Sequence, residues 1–414
     1  MPKIAMLSTG EEVLYGDIVD TNAAWLSRVF YEHGFSMYKR STVGDQRATL
    51  LQELVMLSLN LDVVIVNGGL GPTSDDLSAE IAAEAADVPL VLNQGWLDTL
   101  NSFYAKRGKV MPESNIKQAM LPQGASVVDN PIGTACGFKM MINDCLFYFT
   151  PGVPSEFKKM ATEQILPDLA KHFQTTQGRV CRRIYTFGLS ESGIADTLKH
   201  LSLPAGYELG YRSYLPFIEV KLFGPADDLD TGTRVLAMIE KLLHSNVVSV
   251  DEPMLDRLGH LVELNNRTIA ISEHATKGYL ASWLQDNEKL AQYCGATWIL
   301  GAKTTSPLDR DSEQLGATLA LAGATKGNCN ADIAISTGKL ENDQFSLAIS
   351  TPKGEWGQTL KLQRTYSNQN VKTVISTVAA DMLRRYLENK PMFPDYGFLT
   401  RTQDVFLPLD QITT

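Results

Sequence analysis

The chain has 414 residues, a net charge of −10 and a pI of about 5.2, and 44% of its residues are apolar. This length predicts two or three domains of ordinary globular composition. The acidic balance argues against a general nucleic-acid or membrane-surface role. No apolar run reaches the roughly 18 residues that a membrane helix needs.

The cysteines and the N-terminus indicate the compartment. The five cysteines are scattered and lack CxxC spacing, which favours reduced thiols over a disulfide framework or a zinc site. The N-terminal Met-Pro-Lys-Ile-Ala-Met-Leu is typical of a strand start and lacks the long apolar region of a signal peptide. We therefore expect a cytoplasmic protein.

The first third of the chain alternates between predicted strands and helices. Apolar runs predict strands, and Asp20 is placed to cap the first helix. Such alternation predicts parallel strand pairing in a doubly wound α/β sheet. The predicted elements in chain order are a strand at 3–8, a helix at 21–33, a strand at 35–43, a helix at 47–59 and a strand at 62–66.

A glycine-rich loop follows the last of these strands. Gly68, Gly69 and Gly71 allow a tight turn and a close approach of ligand to backbone, and Asp75 and Asp76 follow at a predicted helix start. One interpretation is an ordinary strand-to-helix connection in which the aspartates cap the helix. The density of glycine and acid in ten residues favours a phosphate and metal site instead.

Acidic side chains follow several of the predicted strands. Glu12, Asp45, Asp75 and Asp76 all come just after a strand end. In a parallel sheet these ends share one edge, where ligands bind. Folding alone does not account for four acids at that edge, so we expect them to form a site.

Further motifs lie between residues 93 and 172. The pattern predicts a helix over 93–121 and a hairpin over 138–149 that turns at Asn143-Asp144. Two more glycine-containing loops occupy 130–134 and 150–156, and the second opens a helix to about 172.

These motifs together resemble the N-terminal domain of the CinA family. The resemblance covers about residues 1–170 and implies a fold like the molybdopterin-binding MoaB/Mog domains, with divalent-metal-dependent ADP-ribose pyrophosphatase activity in many members. This chain has Cys136 where the family usually has proline. The motifs that carry the resemblance are Thr9 to Asn22, Val43-Gly-Asp45, Gly68 to Asp76, Asn130 to Thr134 and Pro151 to Glu156.

The residues themselves fit the hydrolysis of a small nucleotide that the resemblance implies. Asp75 and Asp76 would hold a divalent cation of the Mg, Mn or Co type, while Glu12 or Asp45 would complete the metal shell or polarise water. Plain binding of a pterin or nucleotide without chemistry is the alternative. The residues expected to bind substrate and phosphate are Asn22, Gly68, Gly69, Gly71, Thr73, Gly133, Thr134 and Gly152.

The pattern changes near residue 175. A strand at 179–187, a helix opened by Ser190, strands near 207–212 and 216–223, and a helix at 229–244 predict a small α+β domain. Residues 175–250 resemble the KH-like middle domain of long CinA proteins. A nucleic-acid-binding KH domain uses a Gly-x-x-Gly loop, which this segment lacks, so we expect a structural spacer and no nucleic-acid partner.

The third domain, 253–390, resembles the CinA C-terminal domain, which is a nicotinamide mononucleotide deamidase in active members. Strands are predicted at 267–272, 296–301, 331–336 and 344–350, and a long helix at 369–389. The resemblance places His274 at the position of the nucleophilic serine and Lys277 at that of a glycine, with Glu273 and Thr276 as remnants useful for helix capping.

Two further elements of that site differ from the family pattern. Trp298 to Lys303 replaces a stretch that carries a catalytic tyrosine, and Ser336 to Lys339 shortens a later loop. We therefore expect a degenerate, inactive deamidase site. The predicted organisation is a MoaB/Mog-like domain over 1–172, the two domains above and a tail over 391–414 that docks by its aromatic residues. The resemblance also implies a homodimer.

Overall fold

The computed structural model describes residues 2–173, 178–301 and 314–412. The predicted boundaries at residues 1 and 175, Lys303 and the last two residues of the tail lie outside these ranges. Contacts divide the chain into two compact units: residues 1–180 with 225–227, and residues 181–224 with 228–414. In the described ranges, no helix combines the length and apolarity needed to cross a membrane.

The first unit is built on a six-stranded sheet in the order β2-β1-β3-β8-β7-β6. The strands β2, β1, β3 and β8 pair in parallel, and the hairpin partner β7 and then β6 extend the sheet antiparallel. The mixed α/β class predicted from the sequence is confirmed. The strands of this sheet are β1 (Ile4–Thr9), β2 (Met37–Val43), β3 (Val63–Asn67), β6 (Ser126–Val128), β7 (Gly137–Ile142) and β8 (Cys145–Thr150), and a separate antiparallel pair is formed by β4 (Leu90–Leu92) and β5 (Met120–Pro122).

Helices cover both faces of this sheet. Because β1, β3 and β8 are buried from both sides, their residues are apolar almost throughout, and two separate apolar clusters form. The helices are α1 (Glu11–Leu14), α2 (Thr21–Glu32), α3 (Arg47–Ser58), α4 (Ser78–Ala85), α5 (Gln94–Ala105), α6 (Pro154–Met160) and α7 (Leu166–His172), with a 3₁₀ helix at Glu113–Ala119 and a π-helical turn at Ala161–Ile165.

Two local predictions in this unit differ from the structure. The segment predicted as one helix over 93–121 is split after Ala105, because Gly108 takes a left-handed φ of 65° and Pro112 precedes the 3₁₀ helix. The helix after the glycine loop begins at Ser78, so Asp75 and Asp76 precede it and do not cap it. Asp20 does cap α2, accepting a hydrogen bond from the Ala23 N–H at 2.8 Å.

The second unit begins with the predicted α+β segment. A four-stranded sheet in the order β10-β11-β9-β12 packs against two helices, and Ser190 caps the first of them as predicted. Its elements are β9 (Arg179–Phe187), α8 (Glu191–Leu198), β10 (Glu208–Tyr214), β11 (Phe217–Pro225), α9 (Leu229–Leu243) and β12 (Val247–Val250), with a 3₁₀ turn at His244–Asn246.

A second six-stranded sheet, in the order β14-β13-β15-β16-β17-β18, completes this unit. Phe187, Phe217 and Val248 pack into its main apolar cluster, so the α+β segment shares a core with it. Its elements are α10 (Met254–Asn265), β13 (Ile269–Glu273), α11 (Tyr279–Gln285), α12 (Glu288–Tyr293), β14 (Cys294–Ile299), α13 (Gln314–Asn328), β15 (Ile333–Glu341), β16 (Gln344–Thr351), β17 (Gly354–Leu362), α14 (Asn368–Leu387), β18 (Leu399–Pro408) and α15 (Leu409–Ile412).

The sequence analysis missed two strands in this sheet. β17 was not predicted, and the tail contributes β18, which pairs antiparallel with β17. The buried Tyr396 anchors the tail by donating to Asp381 on α14 at 2.8 Å. The aromatic docking expected of the tail therefore takes the form of an added strand.

Candidate functional site

A cavity of about 570 Å³ opens at the carboxyl edge of the parallel strands in the first unit. Loops after β1, β2, β3 and β8 form its walls, as expected for an open α/β sheet. All four predicted acids line it, as do six of the eight predicted binding residues; Thr73 and Gly133 do not. The lining residues used below are Thr9, Gly10, Glu12, Asp20, Asn22, Asp45, Asn67, Gly68, Gly69, Gly71, Asp75, Asp76, Gln118, Thr134, Gly152 and Glu156.

Carboxylates pack against the Cα atoms of glycines at this edge. A Cβ added to Gly10 would lie 2.7 Å from Glu12 Oε1, and one added to Gly71 would meet the Asp76 carboxylate. Outside the cavity lining, Gly44 makes room for Glu11 in the same way. These glycines therefore make space for carboxylates. The glycines of the loop after β3 were predicted instead to make space for a bound phosphate.

The glycine turn itself has a different constraint. Gly68 and Gly69 have φ of 116° and 67°, and a Cβ on Gly69 would collide with Ser78 Oγ. The buried Ser78 donates from its N–H to Gly69 O and from its hydroxyl to Gly68 O. The first N–H of α4 is thus used within the turn and does not point at a ligand.

Thr73 and Asp76 form a closed pair. The Thr73 N–H donates to Asp76 Oδ2 at 2.9 Å, and the Thr73 hydroxyl donates to the same oxygen. Thr73 is exposed, and besides its two bonds to Asp76 its side chain interacts with Asp75, which lowers the pKa of that carboxyl. The phosphate-binding role predicted for Thr73 receives no geometric support, and its placement indicates that it orients Asp76.

A buried amide network lies beneath the other end of the cavity. Asn22 donates both of its Nδ2 hydrogens, to Asn67 Oδ1 at 2.9 Å and to Gly152 O at 2.8 Å. Asn67 in turn donates to Thr150 Oγ1 and to Pro151 O. This network ties the ends of α2, β3 and β8 together and fixes the orientation of the Asn22 amide.

Two polar atoms among the lining residues have no partner. Asn22 Oδ1 and Thr9 Oγ1 are buried and meet no hydrogen-bond partner within the described ranges. A buried acceptor without a partner costs about 1–3 kcal/mol. Thr9, Asn67 and Gln118 were not predicted as site residues, because contacts between distant strand ends leave no local sequence pattern.

Glu156 was also missed as a site residue, although its motif was recognised. It accepts from Asn130 Nδ2 at 2.8 Å, and a Cβ on Gly133 would meet its carboxylate. Gly133 therefore supports the cavity wall from outside the lining, next to Thr134, whose carbonyl accepts from Trp96 Nε1 at 3.2 Å. The recurrence of a glycine together with an acid in these loops could have predicted Glu156 as a site residue.

The electrostatics of the cavity are one-sided. Six of its lining residues are acids and none is lysine or arginine. Burial raises the pKa of Asp45, and the neighbouring Glu12, Asp75 and Glu11 raise it further, against the Glu11 N–H that donates to it at 3.2 Å. Thr73 and Lys117 lower the pKa of Asp75. Burial and the neighbouring negative charges therefore both disfavour the ionised form of Asp45.

The donor set was tested for its fit to a divalent cation. Within the described ranges, no group of three or more His, Cys, Asp or Glu side chains is arranged to hold a metal ion by protein ligands alone. Mg²⁺ commonly binds through one or two carboxylates together with substrate phosphates and water. Asp75 and Asp76 fit that shared mode, and they do not form an all-protein cage.

The second predicted site lies after β13 in the second unit. The buried Glu273 accepts from the N–H groups of Gly278, Leu280 and Ala281 at 2.8–3.1 Å, so it caps the start of α11. Thr276 Oγ1 and Thr337 Oγ1 lie 3.0 Å apart. The backbone N–H of His274 donates to the carbonyl and to the hydroxyl of Thr337.

Two structural details concern the positions where this chain was predicted to depart from the deamidase pattern. Lys277 has a left-handed φ of 53°, a conformation suited to the glycine that it replaces in the family pattern. The segment Ser336–Lys339, predicted as a shortened loop, lies inside β15, with a register shift between Thr337 and Leu340. The chain continues there as strand because β16 pairs with it.

Comparison with known proteins finds relatives over almost the whole chain. Residues 5–171 match a family described as a probable molybdopterin binding domain. The chain is 39% identical over 411 residues to a CinA-like protein of Shigella flexneri and to the NMN amidohydrolase-like protein YfaY of Escherichia coli strain K12, covering 98% of this chain and 100% of each relative. A crystal structure of CinA from Thermoplasma acidophilum matches 41% of this chain and 97% of its own at 26% identity, with a TM-score of 0.37.

The glycine turn generates a stability prediction. Gly69→Ala should lower the free energy of unfolding by about 2 kcal/mol, because a left-handed alanine costs about 1–2 kcal/mol and Ser78 must move. Gly152→Ala is the matched control, since its Cβ would meet only Gly68 Cα at 3.7 Å. Urea denaturation measures both, and equal stability of the two variants would contradict the packing described.

The raised pKa of Asp45 generates a pH prediction. A carboxyl whose pKa is higher in the folded than in the unfolded state destabilises the fold as pH rises above its unfolded value of about 3.9. Asp45→Asn should therefore be more stable than the parent chain at pH 7 and equal to it at pH 3, as thermal melts would show. Equal stability of Asp45→Asn and the parent chain at both pH values would contradict this prediction.

Proposed function

The chain belongs to the CinA-like proteins, and from that premise we propose that the cavity of its first unit hydrolyses the pyrophosphate bond of ADP-ribose or a related nucleotide with a divalent cation. The observation that carries the proposal is the charge of the cavity, with acids and no lysine or arginine among its lining residues. A pyrophosphate diester would be repelled from such a wall unless a cation lay between them.

The cation would lie against Asp75 and Asp76 and share its remaining positions with phosphate oxygens and water. When bound, it supplies charge stabilisation for the developing transition state. Asp76 is kept in one orientation by Thr73 and by the space over Gly71, so it can hold that cation without reorganising.

Glu12 and Asp45 are the carboxylates left to activate water. Asp45 suits the role of general base better, because a pKa raised towards neutrality improves the match to the pH of the reaction. Its Oδ2 is oriented by the Glu11 N–H at 3.2 Å. Glu12, exposed and lying over Gly10, would then steady the cation and its water shell.

The far end of the cavity would hold the nucleoside portion. Strands β2 and β8 lie three strand spacings apart, about 14 Å, so an extended nucleotide could reach from Asp45 to Gly152. Asn22, Thr134 and Gly152 line the space that the ribose and base would occupy, and the Asn22 amide is held in place by Asn67 and Gly152.

A binding module without chemistry is the second candidate. The match of residues 5–171 to a probable molybdopterin binding domain favours it, as does the lack of an all-protein metal cage within the described ranges. The discriminating result is metal-independent, tight binding of a pterin or nucleotide with no turnover. The two candidates therefore differ in their response to chelation.

The name of the relative YfaY raises a third candidate, an amidohydrolase acting on NMN. Here the position of the nucleophile is occupied by His274, and the neighbouring Glu273 carboxylate is committed to three backbone N–H groups. Hydrolysis of an amide needs a nucleophile, a base and an oxyanion site together. The described residues around His274 do not provide that set, so we propose that this site is inactive.

We also propose a cytoplasmic homodimer as the working form. All five cysteines are free thiols in the structure, which agrees with a reducing compartment. The dimer rests on the family resemblance.

Replacement of the paired acids tests the proposed hydrolase. Asp75→Asn and Asp76→Asn remove a charge and keep the side-chain shape, so ADP-ribose hydrolysis at saturating Mg²⁺, Mn²⁺ or Co²⁺ should fall at least about a hundredfold. Asp168→Asn, an acid outside the cavity that pairs with Lys139, is the control and should retain activity. Full turnover by both loop variants would remove these residues from the mechanism.

The second unit gives a separate test. Ammonia release from nicotinamide mononucleotide should be undetectable for the parent chain and for His274→Ser, because serine alone restores neither a base nor an oxyanion site. Measurable release by the parent chain that disappears in His274→Ala would refute the inactive assignment and make His274 a catalytic residue.

A further inference from the structure

Two side chains from the 3₁₀ helix Glu113–Ala119 hold the loop that carries the paired acids. Gln118 Nε2 donates to Leu70 O at 3.3 Å, near the start of that loop. Lys117 Nζ donates to Thr73 O at 2.7 Å, in its middle. The two donors are neighbours in sequence, and they hold the loop by carbonyl groups that lie three residues apart.

Thr73 links the hydrogen bond from Lys117 to the Asp76 carboxylate. Its carbonyl receives the Lys117 ammonium, while its N–H and hydroxyl both donate to Asp76 Oδ2. A contact on the carbonyl thus fixes the peptide whose donors orient Asp76. Thr73, Ser74 and Asp75 are exposed, so burial does not hold this part of the loop in place.

The position of Lys117 is itself held by a charge network on α4. Its ammonium lies 3.5 Å from Glu80 Oε1, and Arg47 on α3 pairs with both Glu80 and Glu84 at 3.4 and 2.5 Å. Lys117 does not line the cavity. Its charged and polar neighbours are Glu80, the Thr73 carbonyl and Asp75, whose pKa it helps to lower.

We propose that Lys117 is a positioning residue for cation capture, holding the Leu70–Asp76 loop through the Thr73 carbonyl so that Asp75 and Asp76 are ordered before the cation arrives. The inference rests on the proposed function, and it adds to it a residue outside the cavity. Its physical basis is preorganisation: a loop already ordered loses less freedom on binding.

Charge and positioning make opposite predictions for this residue. Removing a positive charge beside Asp75 should strengthen cation binding by electrostatics alone. Removing the hydrogen bond to Thr73 should weaken it, because the cation must then order the loop. Lys117→Met removes both, whereas Lys117→Gln keeps a donor and removes only the charge.

Calorimetric titration of Mn²⁺ into the full-length chain separates these effects. Lys117→Met should raise the Kd for Mn²⁺ about tenfold or more, the effect of losing one charge-assisted hydrogen bond, while Lys117→Gln should bind as tightly as the parent chain or more tightly. Lys109→Met, which removes a lysine from an exposed loop, controls for net charge. Melting temperatures within a degree or two of the parent would exclude a general loss of fold.

Amide hydrogen exchange over residues 70–76 is the second readout and requires no metal. Exchange should accelerate in Lys117→Met and return to the parent rate in Lys117→Gln. Unchanged exchange in Lys117→Met, or Mn²⁺ binding strengthened equally in the Met and Gln variants, would overturn the proposal. Faster exchange in Lys117→Met, together with a parent chain that does not bind Mn²⁺, would retain the positioning role and reject the metal site, so the two failures are distinguishable.

Discussion

Close packing of carboxylates against glycine Cα atoms is the constraint on which the candidate site depends. Gly10 accommodates Glu12 and Gly71 accommodates Asp76 where any Cβ would collide with the acid. Gly133 does the same for Glu156. The parallel strand order brings these loops to one edge of the sheet, and the packing fixes each acid within its own part of that edge. The glycines are therefore part of the electrostatics of the site as well as of its backbone.

Concentrating acids in one cavity has an energetic consequence. Burial raises the pKa of Asp45, and the neighbouring carboxylates raise it further. Such an arrangement destabilises the folded chain at neutral pH, as is common where residues are selected for function. The uncharged amide network of Asn22 and Asn67 adds no further negative charge to the cavity.

Much of the first unit was predictable because its signals are local. The apolar runs of β1 and β3, the Asp20 cap and the turn at Asn143-Asp144 each report their structure within a few residues. The clustering of acids followed from topology, since parallel strand ends share an edge.

The features that were not predicted from the sequence depend on contacts between distant segments. The hydrogen bond from Lys117 to Thr73 joins residues 44 positions apart in sequence, and the one from Asn22 to Gly152 joins residues 130 positions apart. β18 was missed because its partner strand, and not its own pattern, makes it a strand. The split at Gly108 shows the reverse error, in which helical periodicity was extended past a glycine and a proline that end it.

The central claim is that a cation bridges the acidic wall and an anionic substrate. The most direct measurement is calorimetric titration of a methylene-bridged ADP-ribose analogue, which resists hydrolysis, into the full-length chain with Mn²⁺ and again with EDTA. The account predicts binding with Mn²⁺ and its loss in EDTA. Equal affinity under the two conditions would contradict it and would favour a binding module that recognises its ligand without metal.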